Sequence, residues 1–458
     1  MRQYDLVIIG AGSGNSIIGP AFDDWSIAMV EEWVFGGTCL NRGCIPTKIF
    51  VHTADIVQAI EHARRFGVDA HLDGIRWRDI RERVFGRIDP IAAGGERYRT
   101  FECPNVTVHA GRGTFVAPRQ LEVTMPDGSS VAIEGRKVVV AAGARPTVPD
   151  VPGLTDVGYL TSDDIMRIDD VPEHLIVLGG GFIACELAHV FGSFGARITI
   201  VQRSAMLLRS EDHDISAAIT RSFRERFDVR CGVTPTLVER RGAAVVVTLD
   251  DGSVVEGSHL LVAAGRTPNS DLIQAAAGGL ALHPDGRIVS DATQATSVPG
   301  VWALGDITSP FMLKHVANHE ARVVAHNLLN PHEQRATDHR FVPHAVFTNP
   351  QIASVGLTER AAIAAGIDVI TSVHGYSDVA YGWALDDTTS FCKLVADRAT
   401  RSLVGAHIIG PQASSLIQQL VQGMQYRCTI DEMATGQYYI HPALGEVIEN
   451  ALLGFGAA

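Results

Sequence analysis

The chain contains no run of about twenty apolar residues, the length that a membrane-spanning helix requires. Its first segment, Met1-Arg2-Gln3-Tyr4-Asp5-Leu6-Val7-Ile8-Ile9-Gly10, lacks the long apolar core and small-residue cleavage site of a secretory signal. A soluble protein of the cytoplasm is therefore expected. Positive charge is short: 38 lysines and arginines face 51 acids, for a net charge of −13. With no basic face to neutralise phosphates, nucleic acid is not an expected partner. Cysteine is sparse, seven in 458 residues, and Cys103, Cys185, Cys231, Cys392 and Cys428 are scattered. That usage fits a reducing compartment and mostly buried thiols. A hydrophobic share of 46% with 19% charge is that of a globular chain rather than a disordered one. The length exceeds one core and implies about three domains.

Short apolar runs recur, each ending in glycine or an acid or close to one: Tyr4–Gly10, Ile27–Glu32, Val138–Gly143, Leu175–Gly179, Ile198–Gln202, Leu260–Gly265 and Val301–Asp306. Runs that are apolar throughout read as buried parallel strands. The pattern starts at the N-terminus and again from about Val171, implying two doubly wound α/β domains with ligands at the carboxyl ends of their strands. After about Asp338 the strand-like segments Ile352–Leu357, Phe391–Val395 and Leu403–Ile409 carry more polar residues. Helical stretches at Ser414–Met424 and Leu444–Leu453 accompany them. This last block reads as a separate α+β domain.

The remaining cysteines, Cys39 and Cys44, stand in Gly36-Gly37-Thr38-Cys39-Leu40-Asn41-Arg42-Gly43-Cys44-Ile45-Pro46-Thr47-Lys48. Pro46 suits the first turn of a helix, and a thiol at a helix N-terminus has its thiolate stabilised by free N–H groups and the macrodipole. Such a pair is suited to redox chemistry. Zinc is the structural rival, but it needs four ligands, and no second pair follows at finger or ribbon spacing.

Two glycine-rich loops flank this pair. In Gly10-Ala11-Gly12-Ser13-Gly14-Asn15 the early glycines permit a tight turn and close approach of backbone N–H groups to a pyrophosphate. Glu31 closes the next strand, placed to accept from a ribose. Asn15 stands where a third glycine is usual, and Gly19-Pro20 is expected to end the first helix early. The second loop, Gly179-Gly180-Gly181-Phe182-Ile183-Ala184, keeps a small residue at its third key position. Its following strand ends in Gln202-Arg203, with Arg209 beyond, instead of an acid that would read a ribose 2′-hydroxyl. Loss of the acid and gain of arginine is the signature for a 2′-phosphate, hence NADP; the bland alternative is a pair of solvated surface charges. Ala141–Pro146 and Ala263–Asn269 resemble each other and read as two crossings between nucleotide domains. Asp306 is placed to bind a cofactor hydroxyl or to act as a helix N-cap. His315, His319 and Glu320 invite a metal reading, but the order is not His-Glu-x-x-His and no third ligand is evident, so no metal is expected.

Taken together, these segments resemble the pyridine nucleotide–disulfide oxidoreductases of the glutathione reductase and lipoamide dehydrogenase type. The resemblance runs from Tyr4 to the C-terminus. Its most specific carriers are Gly-Gly-Thr-Cys-x4-Cys at Gly36–Cys44 and His441-Pro442-x3-Glu446. Within the family the chain looks most like the mycothione reductase group, on Ser13–Ile17, Phe85–Ile91 and Gly436–Leu444; in that group Asn15 is expected. The resemblance implies a homodimeric flavoprotein of four segments: an FAD-binding domain over 1–148, an NADPH-binding domain over 149–265, the return of the FAD domain over 266–337, and a dimerisation domain over 338–458.

By the same resemblance, FAD is held by Gly10, Gly12, Gly14, Glu31, Gly37, Thr38, Lys48, Gly143 and Asp306. NADPH is held by Gly179, Gly181, Ala184, Glu186, Arg203, Arg209 and Gly265. Cys39 and Cys44 form the redox disulfide, with Cys44 as the thiolate beside the flavin and Cys39 attacking the substrate. Lys48 and Glu186 stand as a pair beside the flavin. His441, oriented by Glu446, is the acid–base group and serves the neighbouring subunit. The substrate expected is a low-molecular-weight disulfide, mycothione. Glutathione reductase and lipoamide dehydrogenase are the rival enzymes, and a flavin redox sensor without turnover is the rival from another class. No basic residue lies between Gly14 and Asp24 to meet a polycarboxylate substrate, and Gln202-Arg203 replaces the acidic ribose reader of a lipoamide dehydrogenase.

Overall fold

The structure is a computed structural model describing residues 1–456. Its first sheet contains β1 (Arg2–Ile9), β2 (Ile27–Glu31), β3 (Val106–Ala110), β4 (Arg112–Ala117), β5 (Gln120–Thr124) and β6 (Ser130–Val140), in the order β3-β2-β1-β6-β5-β4. Leu6 to Ile9 and Ile27 to Val30 are all buried, which is why these strands are apolar throughout. The carboxyl ends of β1 and β2 are where the first glycine loop and Glu31 emerge. β4, β5 and β6 pair antiparallel. The alternating burial of β4 and β5 leaves no continuous apolar run, so the periodicity that marks the parallel strands passes over them, whereas the buried end of β6 carries the run at Val138–Val140.

Where a full helix is usual after β1, the chain makes two 3₁₀ turns, Gly14–Ile17 and Pro20–Phe22. The expected early stop at Gly19-Pro20 thus goes further: no α-helix forms there. Gly14 is tight against the sheet, since a Cβ there would lie 2.9 Å from Ile8 Cγ2 and 3.0 Å from Ala141 Cβ. Arg99 takes over the carbonyls that helix turns would have used, donating to the backbone oxygens of Asn15 and Ile18, both at 3.1 Å. It also donates to Asn15 Oδ1 at 2.7 Å.

A short helix α1 (Gly37–Asn41), then α2 (Cys44–His62) and α3 (Trp77–Arg97) follow β2 in the chain. β7 (Ala144–Pro146) leads to the second sheet, in which β8 (His174–Leu178), β9 (Arg197–Gln202) and β10 (Asp228–Cys231) are parallel. Helix α4 (Phe182–Ser193) joins β8 to β9, and α5 (His213–Arg226) joins β9 to β10. An antiparallel sheet of β11 (Pro235–Arg241), β12 (Ala244–Leu249) and β13 (Val254–Gly257) precedes β14 (His259–Val262), which pairs parallel with β8. β15 (Arg266–Pro268) pairs antiparallel with β7, so the two crossings lie side by side. β16 (Val301–Ala303) returns to β6 in the first sheet and leads into α6 (Lys314–Leu329).

The remaining sheet is antiparallel: β17 (His344–Val346), β18 (Ile352–Gly356), β19 (Val369–Gly375), β20 (Phe391–Asp397) and β21 (Leu403–Ile409), in the order β17-β18-β21-β20-β19. Helices α7 (Glu359–Ala364), α8 (Ala380–Leu385), α9 (Ala413–Gln425), α10 (Ile430–Thr435) and α11 (Gly445–Leu453) complete this block. It is tied to α5 by buried charge. Lys393 Nζ lies 2.9 Å from Asp212, 2.7 Å from Asp214 and 2.7 Å from Glu359. The fold is therefore mixed α/β, two Rossmann-like nucleotide-binding domains and a C-terminal α+β domain, with an apolar cluster running through α2, α4 and the second sheet and separate ones in the first sheet and the C-terminal domain.

Candidate active site

The local sequence builds the cysteine pair. Gly36 and Gly37 adopt φ of 96° and 63°, which only glycine takes without strain. They turn the chain against the first loop, where a Cβ on Gly37 would stand 2.8 Å from Gly12 Cα. The buried Asn41 holds the turn by donating to Phe35 O at 2.9 Å and Gly37 O at 3.0 Å. Cys39 lies in α1 and Cys44 is the first residue of α2, so the Cys44 sulfur meets the free N–H end of a nineteen-residue helix. Both cysteines are thiols in this structure. A hydrogen bond from Cys39 lowers the Cys44 thiol to about 7, aided by the Lys48 charge, while the same contact and burial push Cys39 upward.

One turn further along α2, Lys48 Nζ is bonded to both carboxylate oxygens of Glu186 on α4, at 2.8 and 2.7 Å. The Glu186 side chain is only 4% exposed, so it needs a cation. It also accepts from the backbone N–H of Phe347 at 2.9 Å. Three separate stretches of chain converge on this one carboxylate because α2 packs along α4.

Gly10, Gly12, Glu31, Gly37, Thr38, Cys39, Cys44, Lys48, Gly143, Glu186 and Asp306 line a single cleft. Gly14 does not; it lies buried beneath the loop. Gly10 has φ of 102°, and a Cβ there would fall 2.4 Å from Ala141 O. The N–H groups of Gly12 and Ser13 donate to no protein atom among the described residues. Glu31 accepts from Ala11 N at 2.7 Å and Trp33 N at 2.9 Å, leaving a further lone pair on each oxygen, and burial raises its carboxyl. Asp306 makes no cap bond at its short 3₁₀ turn; it faces the cleft 3.6 Å from Arg266 Nε, and burial raises it too. A glycine cradle with orphan donors, an acid at the end of β2 and the cysteine pair opposite fit a dinucleotide flavin such as FAD.

The glycines of the second loop, Gly179 to Gly181, stand at the end of β8 outside this lining, while Phe182 and Ile183 of the same loop reach into the cleft. Gly179 has φ of 126° and sits against Ala263 O, while Ala184 is fully buried. Gln202 lies over Gly180, where a Cβ would be 2.8 Å from its Nε2. Arg203 and Arg209 are exposed. Gly265 holds the crossing, accepting from Thr147 N at 2.9 Å. His315 is held by Pro343 O at 2.8 Å, and Glu320 is turned inward to accept from Gly305 N at 2.7 Å. The pair does not converge.

His441 Nδ1 is 2.7 Å from Glu446 Oε1, and Glu446 accepts from Ala443 N at 3.3 Å. The imidazole holds the Glu446 carboxyl below its usual range. Within one chain this pair does not reach the cleft: the His441 side chain is 72% exposed and follows the exposed apolar residues Tyr438 and Ile440.

Sequence reading passed over several cleft residues. Arg42 stacks 3.4 Å above the Trp33 ring and pairs with Asp163 at 2.9 Å, and Lys314 donates to Ser13 Oγ at 2.8 Å. Asp163 and Lys314 stand outside every motif. Arg42 lies inside one, but its partner is 121 positions away.

Residues 4–321 match the pyridine nucleotide-disulphide oxidoreductase family, and residues 342–452 match the dimerisation domain of that family. The chain is 49% identical to a mycothione reductase of Mycobacterium tuberculosis, over 99% of this chain and 100% of that one. It is 32% identical to a glutathione reductase of Burkholderia cepacia, covering 97% of each. A solved structure of the HOCl-induced flavoprotein disulfide reductase RclA from Escherichia coli superposes with a TM-score of 0.86 at 27% identity, over 98% of this chain and 99% of that one. The chain is an enzyme of the pyridine nucleotide–disulphide oxidoreductase family, whose members use FAD and a pyridine nucleotide.

Proposed function

We propose that this enzyme is an NADPH-dependent reductase of a low-molecular-weight disulfide, mycothione, which it converts to two molecules of mycothiol. The carrying observation is the position of Cys44 at the first residue of α2, with Cys39 against it and the Lys48–Glu186 pair one turn on, all in the cleft of the first glycine loop. The choice of substrate rests on the full-length similarity to a mycothione reductase. FAD, when bound in that cleft, supplies the two-electron link between nicotinamide and cysteine pair. Gly10, Gly12, Gly37, Thr38, Gly143, Glu31 and Asp306 hold it, with Gly14 supporting the loop from beneath. Gly179, Gly181, Ala184, Arg203 and Arg209 hold NADPH.

Cys44 keeps the thiolate of the reduced pair, stabilised by the helix end and Lys48. Cys39 gives its proton to the His441 imidazole of a second copy of the chain and attacks one sulfur of the substrate. The Cys39–substrate bond forms, the substrate S–S bond breaks, and the departing thiolate takes a proton from the imidazolium that Glu446 holds in place. Cys44 then attacks the Cys39 sulfur. The Cys39–Cys44 bond forms, the second substrate thiolate leaves and takes a proton from solvent by way of the same imidazole, and the pair has lost the two electrons that the substrate gained. The exposure of His441 and the dimerisation-domain match support a homodimer whose partner supplies this group.

Steady-state oxidation of NADPH and NADH against mycothione, glutathione disulfide and lipoamide tests the reading. NADPH with mycothione should be the fastest pair. Preference for glutathione disulfide would make the enzyme a glutathione reductase, and no turnover with any disulfide would leave a redox sensor.

A further inference from the structure

Lys48, Lys137, Lys314 and Lys393 are the only lysines of this chain. Lys48 and Lys393 are spent on carboxylates, and Lys137 is held by the Leu328 carbonyl and the rings of Trp25 and Trp302. Lys314 is placed differently. Six basic residues line the cleft: Arg42, Lys48, Arg112, Arg145, Arg266 and Lys314. The first five have carboxylate partners within 4 Å, namely Asp163, Glu186, Glu32, Asp271 and Asp306. Lys314 has none among the described residues; its Nζ donates to a neutral hydroxyl, Ser13 Oγ, at 2.8 Å.

Its position on the backbone is also against the usual preference. Lys314 is the first residue of the sixteen-residue α6, whose first turn contains no acid. A cation at a helix N-terminus opposes the macrodipole and is disfavoured unless an anion sits beside it. The hydroxyl that anchors it belongs to the loop whose Gly12 and Ser13 N–H groups lack protein acceptors. A free ammonium, a positive helix end and orphan donors thus meet at one point, 301 residues apart in the chain.

We propose that Lys314 is the counter-charge of the flavin cofactor's diphosphate, a clamp that the returning segment of the chain closes over the first glycine loop. This rests on the family's use of FAD. With a diphosphate in place the ammonium stays bonded to Ser13 and gains a charge-assisted contact, while Gly12 and Ser13 donate from the opposite side. The contact reads phosphate and not the isoalloxazine, because Ser13 sits in the loop that approaches the pyrophosphate.

The test uses the full-length chain stripped of flavin, with equilibrium binding of FAD, ADP and riboflavin followed by flavin fluorescence and calorimetry. Lys314→Met should weaken FAD and ADP together by about tenfold or more, the usual worth of a charge-assisted hydrogen bond. It should leave riboflavin unchanged and make FAD affinity less sensitive to salt. Lys314→Arg should retain most of the affinity, and Ser13→Ala should cost less than Lys314→Met. A thermal melt of each stripped variant identifies a folding defect, and the Arg and Ala variants then carry the comparison. Unchanged FAD and ADP affinity in Lys314→Met overturns the proposal, as does an equal loss for riboflavin, which would place the lysine on the ring. Failure of the unmodified chain to bind FAD would overturn the cofactor reading itself.

Discussion

Lys48 and Glu186 lie 138 positions apart in the chain, yet one ammonium nitrogen touches both oxygens of the carboxylate within 2.8 Å. The contact fastens the helix that starts with Cys44 to the helix that starts at the second glycine loop. Lys48→Met strands a nearly buried carboxylate. A fully buried broken pair costs about 3–5 kcal/mol, and the 32% exposure of the lysine brings the expected loss to about 2–3 kcal/mol. Urea unfolding should show this as a lower midpoint, and Lys48→Met combined with Glu186→Leu should recover much of it. A single variant as stable as the parent would mean that the pair carries no such strain.

The cysteines should titrate far apart. The reduced enzyme is expected to show one thiolate absorbance step near pH 7, removed by Cys44→Ser, with Cys39 remaining protonated well into the alkaline range. Because the folded Cys44 value lies below the unfolded one of 9.0, the thiolate's contribution to stability is full above pH 9 and is lost as pH falls through about 7. Cys44→Ser should flatten that part of the stability profile. A thiolate step that survives Cys44→Ser and disappears in Cys39→Ser would reverse the two roles.

Nicotinamide preference should reside in two exposed arginines. Arg203→Ala or Arg209→Ala is expected to lower kcat/KM for NADPH about ten- to hundredfold while sparing NADH, since a charge-assisted phosphate contact is worth about 1.5–3 kcal/mol. Equal use of both nucleotides by the parent enzyme defeats the assignment.

His441→Ala should leave reduction by NADPH nearly intact and slow disulfide reduction by about 10²–10⁴-fold, and Glu446→Gln should lose less because it orients the imidazole. Mixing the inactive variants Cys39→Ser and His441→Ala under subunit exchange tests the shared site. One site of the mixed dimer then carries both lesions and the other neither, so activity should return. Continued inactivity in verified heterodimers would put both groups in one chain.

What could be read from the residues alone was what neighbours along the chain decide. Glycines 10, 12, 36 and 37 and the Cys39–Cys44 spacing specify turns and a helix end through backbone sterics and unpaired N–H groups, which need only a few successive residues. Glu446 likewise reaches His441 from five positions away. The continuous apolar runs marked the parallel strands because both faces of those strands are buried. The antiparallel strands β4, β5, β11 and β13 left no such signal, having one wetter face. Tertiary structure alone decided the rest. Packing of α2 along α4 brought Glu186 to Lys48 and Phe347, and Arg99 replaced the turns of a helix that never formed after Gly14. The returning segment carried Lys314 to Ser13. These contacts close loops of tens to hundreds of residues, and their geometry depends on how whole helices and sheets settle against each other. No local spacing encodes that. The same physics leaves His441 on the surface of its own chain, in the segment that matches the family's dimerisation domain.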